Sequence, residues 1–184
     1  MMQTIKLIGH AIKRGSTDLR IRNHAAALAS LAPPKDYLGQ LQNIYLDAVQ
    51  NWRYVKDPVT NELLSYDPDV LANLVLGLDG IGAGYGFGVG DCDCITAGVG
   101  SEMMAIGTPT RIAVTAPPRM PPGNMYAHVF AQGFVPPHGW VTVDPVVHPH
   151  HGFGFTPPHS RIAYFNLDGQ LIGYRGNAVN MRHR

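Results

Sequence analysis

The chain contains two cysteines, Cys92 and Cys94, which open an apolar-periodic segment directly after a glycine-rich run. A cysteine attacks as the thiolate, so it needs a base for its proton and a third group to fix the ring of that base. Cys92, His128 and Asp144 supply those three types in that order. A helix start at Cys92 adds partial positive charge from unpaired backbone N–H groups, which lowers a thiol pKa. The same N–H groups, that of Cys92 among them, are suited to hold an oxyanion during acyl transfer. Each residue also has a plainer reading. Cys92 alone fits a buried structural thiol, His128 a half-buried strand histidine, and Asp144, ahead of Pro145, a strand-end turn residue. A zinc site from Cys92-x-Cys94 with His148, His150 and His151 is the lesser alternative. One residue between the cysteines falls short of the roughly two to four usual in structural sites, and adjacent His150 and His151 diverge when extended. A disulfide between Cys92 and Cys94 would be badly strained.

The elements that must position these residues follow from periodicity. Cys92, Ile95, Val99, Met103 and Ile106 recur at three- and four-residue steps, which predicts a helix over 92–106 with Gly107 as its stop. Cys92 then points inward at the first turn. Cys94 falls about 200° round the helix, beside Gly98 and Ser101. Gly98 and Gly100 each lower helix propensity by about 1 kcal/mol, so this helix depends on close packing. Strands are predicted over Thr110–Ala116, Tyr126–Phe134 and Trp140–Val146, separated by proline-rich loops, with Trp140 in the core. A hairpin centred near Pro136 sets His128 opposite Asp144, where Cβ atoms lie about 4.5–5.5 Å apart. A slip of one residue would send them to opposite faces.

Upstream, Asp18–Leu31 is rich in helix formers, with Ser16, Thr17 and Asp18 as caps and Pro33-Pro34 as its stop. Leu38, Leu41, Ile44, Tyr45, Ala48, Val49 and Trp52 mark one face of a second helix over Asp36–Trp52, in which Trp52 is a packing aromatic. Residues 1–17 have no clear period, Arg53–Pro58 reads as extended, and Pro68–Leu76 as a short helix. Five glycines within Gly82–Gly90 make that stretch a loop, and it lacks the pattern of a phosphate-binding loop. Downstream, the His-rich residues 148–159 form a solvated rim, and Asp168-Gly169 turns a hairpin between Arg161–Asn166 and Gln170–Tyr174.

A chain of 184 residues that is 45% hydrophobic and 15% charged predicts one globular domain with a real core. The near balance of 14 Lys+Arg against 13 Asp+Glu argues against nucleic acid or an anionic membrane as partner. Lys6, His10, Lys13 and Arg14 interrupt any signal-peptide core, and no apolar run reaches the ~18 residues of a membrane span, so a soluble, cytoplasmic protein in a reducing compartment is expected.

Taken together, Gly90-Asp91-Cys92-Asp93, the apolar helix, Ile106–Arg111, Ala127-His128-Val129 and Trp140–Pro145 resemble the transglutaminase-like superfamily of cysteine enzymes. The resemblance covers residues 36–147, and Trp52–Pro58 is similar to short members encoded by tailed phages and prophages. It implies an α+β, papain-like core, with N-terminal helices and the nucleophile at a helix start packed on an antiparallel sheet. It further implies a Cys92-His128-Asp144 triad without cofactor or metal. On that basis residues 1–35 are an N-terminal helical extension, 36–147 the catalytic core and 148–184 a C-terminal hairpin and tail. The implied reaction is acyl transfer on a peptide or protein amide through a thioester, with peptidase or amidase chemistry preferred over transglutamination. The alternative is an idle structural or assembly module, such as a virion component, on the same fold. Two departures stand out: Cys94 replaces an acidic residue common in the family, and Gly98 and Gly100 replace larger apolar residues.

Overall fold

The computed structural model describes residues 2–56, 68–76, 88–116, 127–147 and 151–176. The first helix, α1, runs Met2–Gly15 and buries Ile5, Ile8 and Ile12 on one face. It occupies a stretch in which no period is evident, because Lys6, Leu7 and His10, set between these isoleucines, blur the stripe. Helix α2 (Leu19–Ser30) begins at the cap expected, the Asp18 carboxylate accepting from the Arg20 N–H, and α3 (Tyr37–Asn51) is capped by Asp36, which accepts from the Gly39 N–H. A short strand β1 (Trp52–Tyr54) follows, then α4 (Pro68–Val75).

Gly88–Gly90, expected as loop, forms strand β2 and pairs parallel with β1. The remainder of the glycine-rich run lies outside the described residues. Next comes α5 (Cys92–Ala105), whose C-terminal Gly107 adopts a φ of +84°, the left-handed stop that the sequence predicts. The helix is central. Residues Ile95–Met103 are all buried, so the face carrying Gly98 and Ser101 is as enclosed as that carrying Val99. The two glycines are sites of close approach: a Cβ at Gly98 would lie 2.8 Å from the Trp52 ring, and one at Gly100 2.6 Å from Ile12. Trp52 is the packing aromatic expected, and its indole N–H donates to the Val75 carbonyl at 3.3 Å.

Beyond α5 the chain builds an antiparallel sheet from β3 (Thr110–Ala116), β4 (His128–Val135), β5 (Gly139–Val143), β6 (Arg161–Phe165) and β7 (Leu171–Gly176). Their order is β5-β4-β3-β6-β7. Inward residues such as Ile112, Val114, Val129 and Ala131 join the helices in one apolar core. The opposite face carries a smaller cluster of Ala113, Phe130 and Ile162. Trp140, expected in the core, stands on that outer face at 36% exposure, where it and Tyr164 lie 4.2 and 3.9 Å from the Arg111 guanidinium. No helix among the described residues is long and apolar enough to cross a membrane.

Candidate active site

The β4–β5 hairpin pairs Ala131 with Val143 and Val135 with Gly139, a register two residues away from the one expected. A shift of two preserves the face each side chain occupies. His128 and Asp144 therefore still meet, diagonally, with Nε2···Oδ2 at 2.7 Å. Asp144 lies just past β5, where its other oxygen accepts from the Val146 N–H at 3.2 Å and caps the short helical turn Pro145–Val147. Its side chain is 2% exposed and that of His128 19%. A carboxylate can only accept, so the shared proton belongs to Nε2. In the neutral ring this leaves Nδ1 as the lone-pair nitrogen, which is the tautomer a base requires.

Cys92 opens α5 as expected, and Asp91 caps the helix by accepting from the Asp93 and Cys94 N–H groups at 3.2 and 3.3 Å. That cap consumes two of the N–H groups counted toward an oxyanion site, leaving the N–H of Cys92 as the donor. Thr96 ties the helix start to the sheet, its hydroxyl lying 2.6 Å from the Cys92 carbonyl and 3.1 Å from that of Val129. The Cys92 sulfur is near enough to the Val129 backbone for that contact to favour the thiolate. Burial opposes it, as do the charges of Asp91 and Asp93, and the thiol is pushed up to about 12.

Cys92 thus touches the residue following His128. Val129 turns toward α5, whereas His128 shares the other face of β4 with Phe130, the two rings 5.7 Å apart. Among the described residues no hydrogen bond joins the Cys92 sulfur to the His128 ring. A cleft of about 340 Å³ opens alongside, lined by Val49, Trp52, Tyr54, Ile95, Pro145 and Val146. It adjoins both Asp144 and the first turn of α5.

Of the residues considered for zinc, His148 and His150 lie outside the described residues. The His151 ring stacks on Phe155 at 3.7 Å, and its carbonyl accepts from the Tyr45 hydroxyl. Thr96 and the Val146 N–H were not foreseen, since neither belongs to a recognisable spacing. A three-helix cluster of His24, Asp47 and Glu102 was also missed; its only trace in the sequence is the presence of acidic residues within otherwise apolar helical faces.

No family model matches the sequence, and no curated protein matches it. Among solved structures the chain is similar to a candidate protease from Parabacteroides distasonis, at a TM-score of 0.57 and 11% identity. The match covers 92% of this chain and 30% of that one. The likeness is one of fold.

Proposed function

We propose that this chain is a cysteine hydrolase of amide bonds on a papain-like, transglutaminase-like core. The observation that carries the reading is the buried Asp144 holding His128 at 2.7 Å, beside the helix start that bears Cys92. With its thiol held near 12, Cys92 rests protonated, so His128 acts in concert with attack instead of storing a thiolate. Nδ1 takes the thiol proton as the sulfur bonds to the amide carbonyl carbon, and the carbonyl oxygen becomes an oxyanion facing the Cys92 N–H. The C–N bond then breaks, and His128 returns the proton to the departing amine. A thioester remains on Cys92 until water, losing a proton to the same nitrogen, releases the acid. Asp144 keeps the proton on Nε2, so that Nδ1 has a free lone pair for the thiol proton, and stabilises the imidazolium. Bringing Nδ1 to the sulfur requires the His128 ring to swing toward α5, a closure the free enzyme samples and substrate in the cleft tightens.

Peptide amides suit the apolar cleft, and the structural neighbour described as a candidate protease points the same way. The second reading is an idle module on this fold, favoured by the raised thiol and by the open gap between Cys92 and His128. Acid-quenched mass spectrometry after incubation with a mixture of peptide p-nitroanilides separates the two. The enzyme reading expects a hydroxylamine-labile acyl adduct on Cys92 that is absent in Cys92→Ala. An adduct unaffected by that substitution would contradict it.

A further inference from the structure

Three helices converge on a cluster separate from the Cys92 site. His24 of α2, Asp47 of α3 and Glu102 of α5 each place one donor atom within 4.8 Å of the other two. His24 Nδ1 lies 2.8 Å from Glu102 Oε1, and its Nε2 lies 3.8 Å from Asp47 Oδ2. The Glu102 side chain is 0% exposed. Two carboxylate oxygens, Glu102 Oε2 and Asp47 Oδ2, have no hydrogen-bond partner among the described residues, while Asp47 Oδ1 accepts from Asn51. Buried polar atoms are rarely left in this state. The charges do not balance either: an imidazolium supplies one positive charge to two carboxylates.

A divalent cation resolves both defects, because it coordinates the orphaned oxygens and neutralises both carboxylates. The geometry points to a zinc site built from His24, Asp47 and Glu102, with a fourth position open beside the 24% exposed His24 side chain. One imidazole and two carboxylates form a borderline N/O donor set. Calcium and magnesium favour more numerous, all-oxygen ligands, and copper(I) favours sulfur. Three protein ligands with an open position fit zinc, which outcompetes manganese and iron at N/O sites of this kind. Glu102 stands ten residues beyond Cys92 on α5, about 15 Å away at the helical rise. The ion therefore serves as a clamp pinning α2 and α3 to α5, independent of the proposed acyl chemistry.

The test is calorimetric titration of zinc chloride into full-length protein stripped with EDTA and dialysed, with thermal melts run in parallel. One zinc per chain is expected, accompanied by a rise in melting temperature. Affinity should fall at least about tenfold in His24→Gln, Asp47→Asn and Glu102→Gln, and should persist in a Cys92→Ser/Cys94→Ser double variant. Glu102→Gln removes a buried charge while keeping its shape, so circular dichroism in EDTA should show it folded, and zinc should not raise its melting temperature. Unchanged affinity in the three ligand variants would overturn the site, as would loss of zinc from the double-cysteine variant. Absence of uptake by wild-type protein would also overturn it, leaving a proton-sharing cluster.

Discussion

Replacing Asp144 with asparagine is a sharp perturbation because the site uses both carboxylate oxygens as acceptors. Oδ2 takes the His128 Nε2–H and Oδ1 takes the Val146 N–H. An amide of the same shape offers a single acceptor, so Asp144→Asn must leave one donor unpaired or reverse the His128 tautomer. In the reversed tautomer Nδ1 carries the proton and cannot receive one from Cys92. A hydrogen bond to a charged group is worth about 1.5–3 kcal/mol, and at 3% exposure Asp144 is screened little by solvent. At about 1.36 kcal/mol per decade, that energy corresponds to a roughly 10- to 150-fold loss of His128-dependent reactivity at Cys92. Long-range ¹H–¹⁵N correlation of the His128 ring reports the tautomer, and peptide mass spectrometry of iodoacetamide-treated protein reports the rate. The reasoning fails if Asp144→Asn keeps the proton on Nε2 and alkylates Cys92 at the wild-type rate.

Asp91→Asn separates capping from electrostatics. Asparagine caps about as well as aspartate, so the melting temperature should change little. Loss of the adjacent charge lowers the Cys92 thiol and speeds its alkylation at pH 8; an unchanged rate would discount the role assigned to that charge. Gly98→Ala forces a methyl against the Trp52 ring, and denaturant titration should show a loss of about 1–3 kcal/mol. The thiolate is the reacting species, and the thiol is held near 12. In His128→Ala, therefore, alkylation of Cys92 should climb about tenfold per pH unit from about pH 7 to 10, and a plateau below that range would contradict the burial argument.

The sequence made the capped helices legible, because Asp18, Asp36 and Asp91 sit directly before apolar-periodic runs and each side chain bonds the first turn. It left α1 unread, since Lys6, Leu7 and His10 interrupt the stripe of Ile5, Ile8 and Ile12 there. Gly88–Gly90 was misread because a β pairing with Trp52–Tyr54 comes from tertiary context. The meeting of His128 with Asp144 survived an incorrect register because strand faces repeat every two residues. Trp140 was misplaced because hydrophobicity alone does not reveal that Arg111 and Phe134 share its outer face. Side-chain closure between Cys92 and His128 was beyond reach, since periodicity assigns a residue to a face but not the distance between sulfur and nitrogen.

The central claim is that His128 receives the proton of Cys92. Its most direct measurement compares iodoacetamide alkylation of Cys92 at about pH 7.5 in wild type and His128→Ala, with Cys94 as internal reference. The account predicts that Cys92 slows at least about tenfold in His128→Ala, while Cys94 is unaffected. A Cys92 rate unchanged in His128→Ala would contradict it.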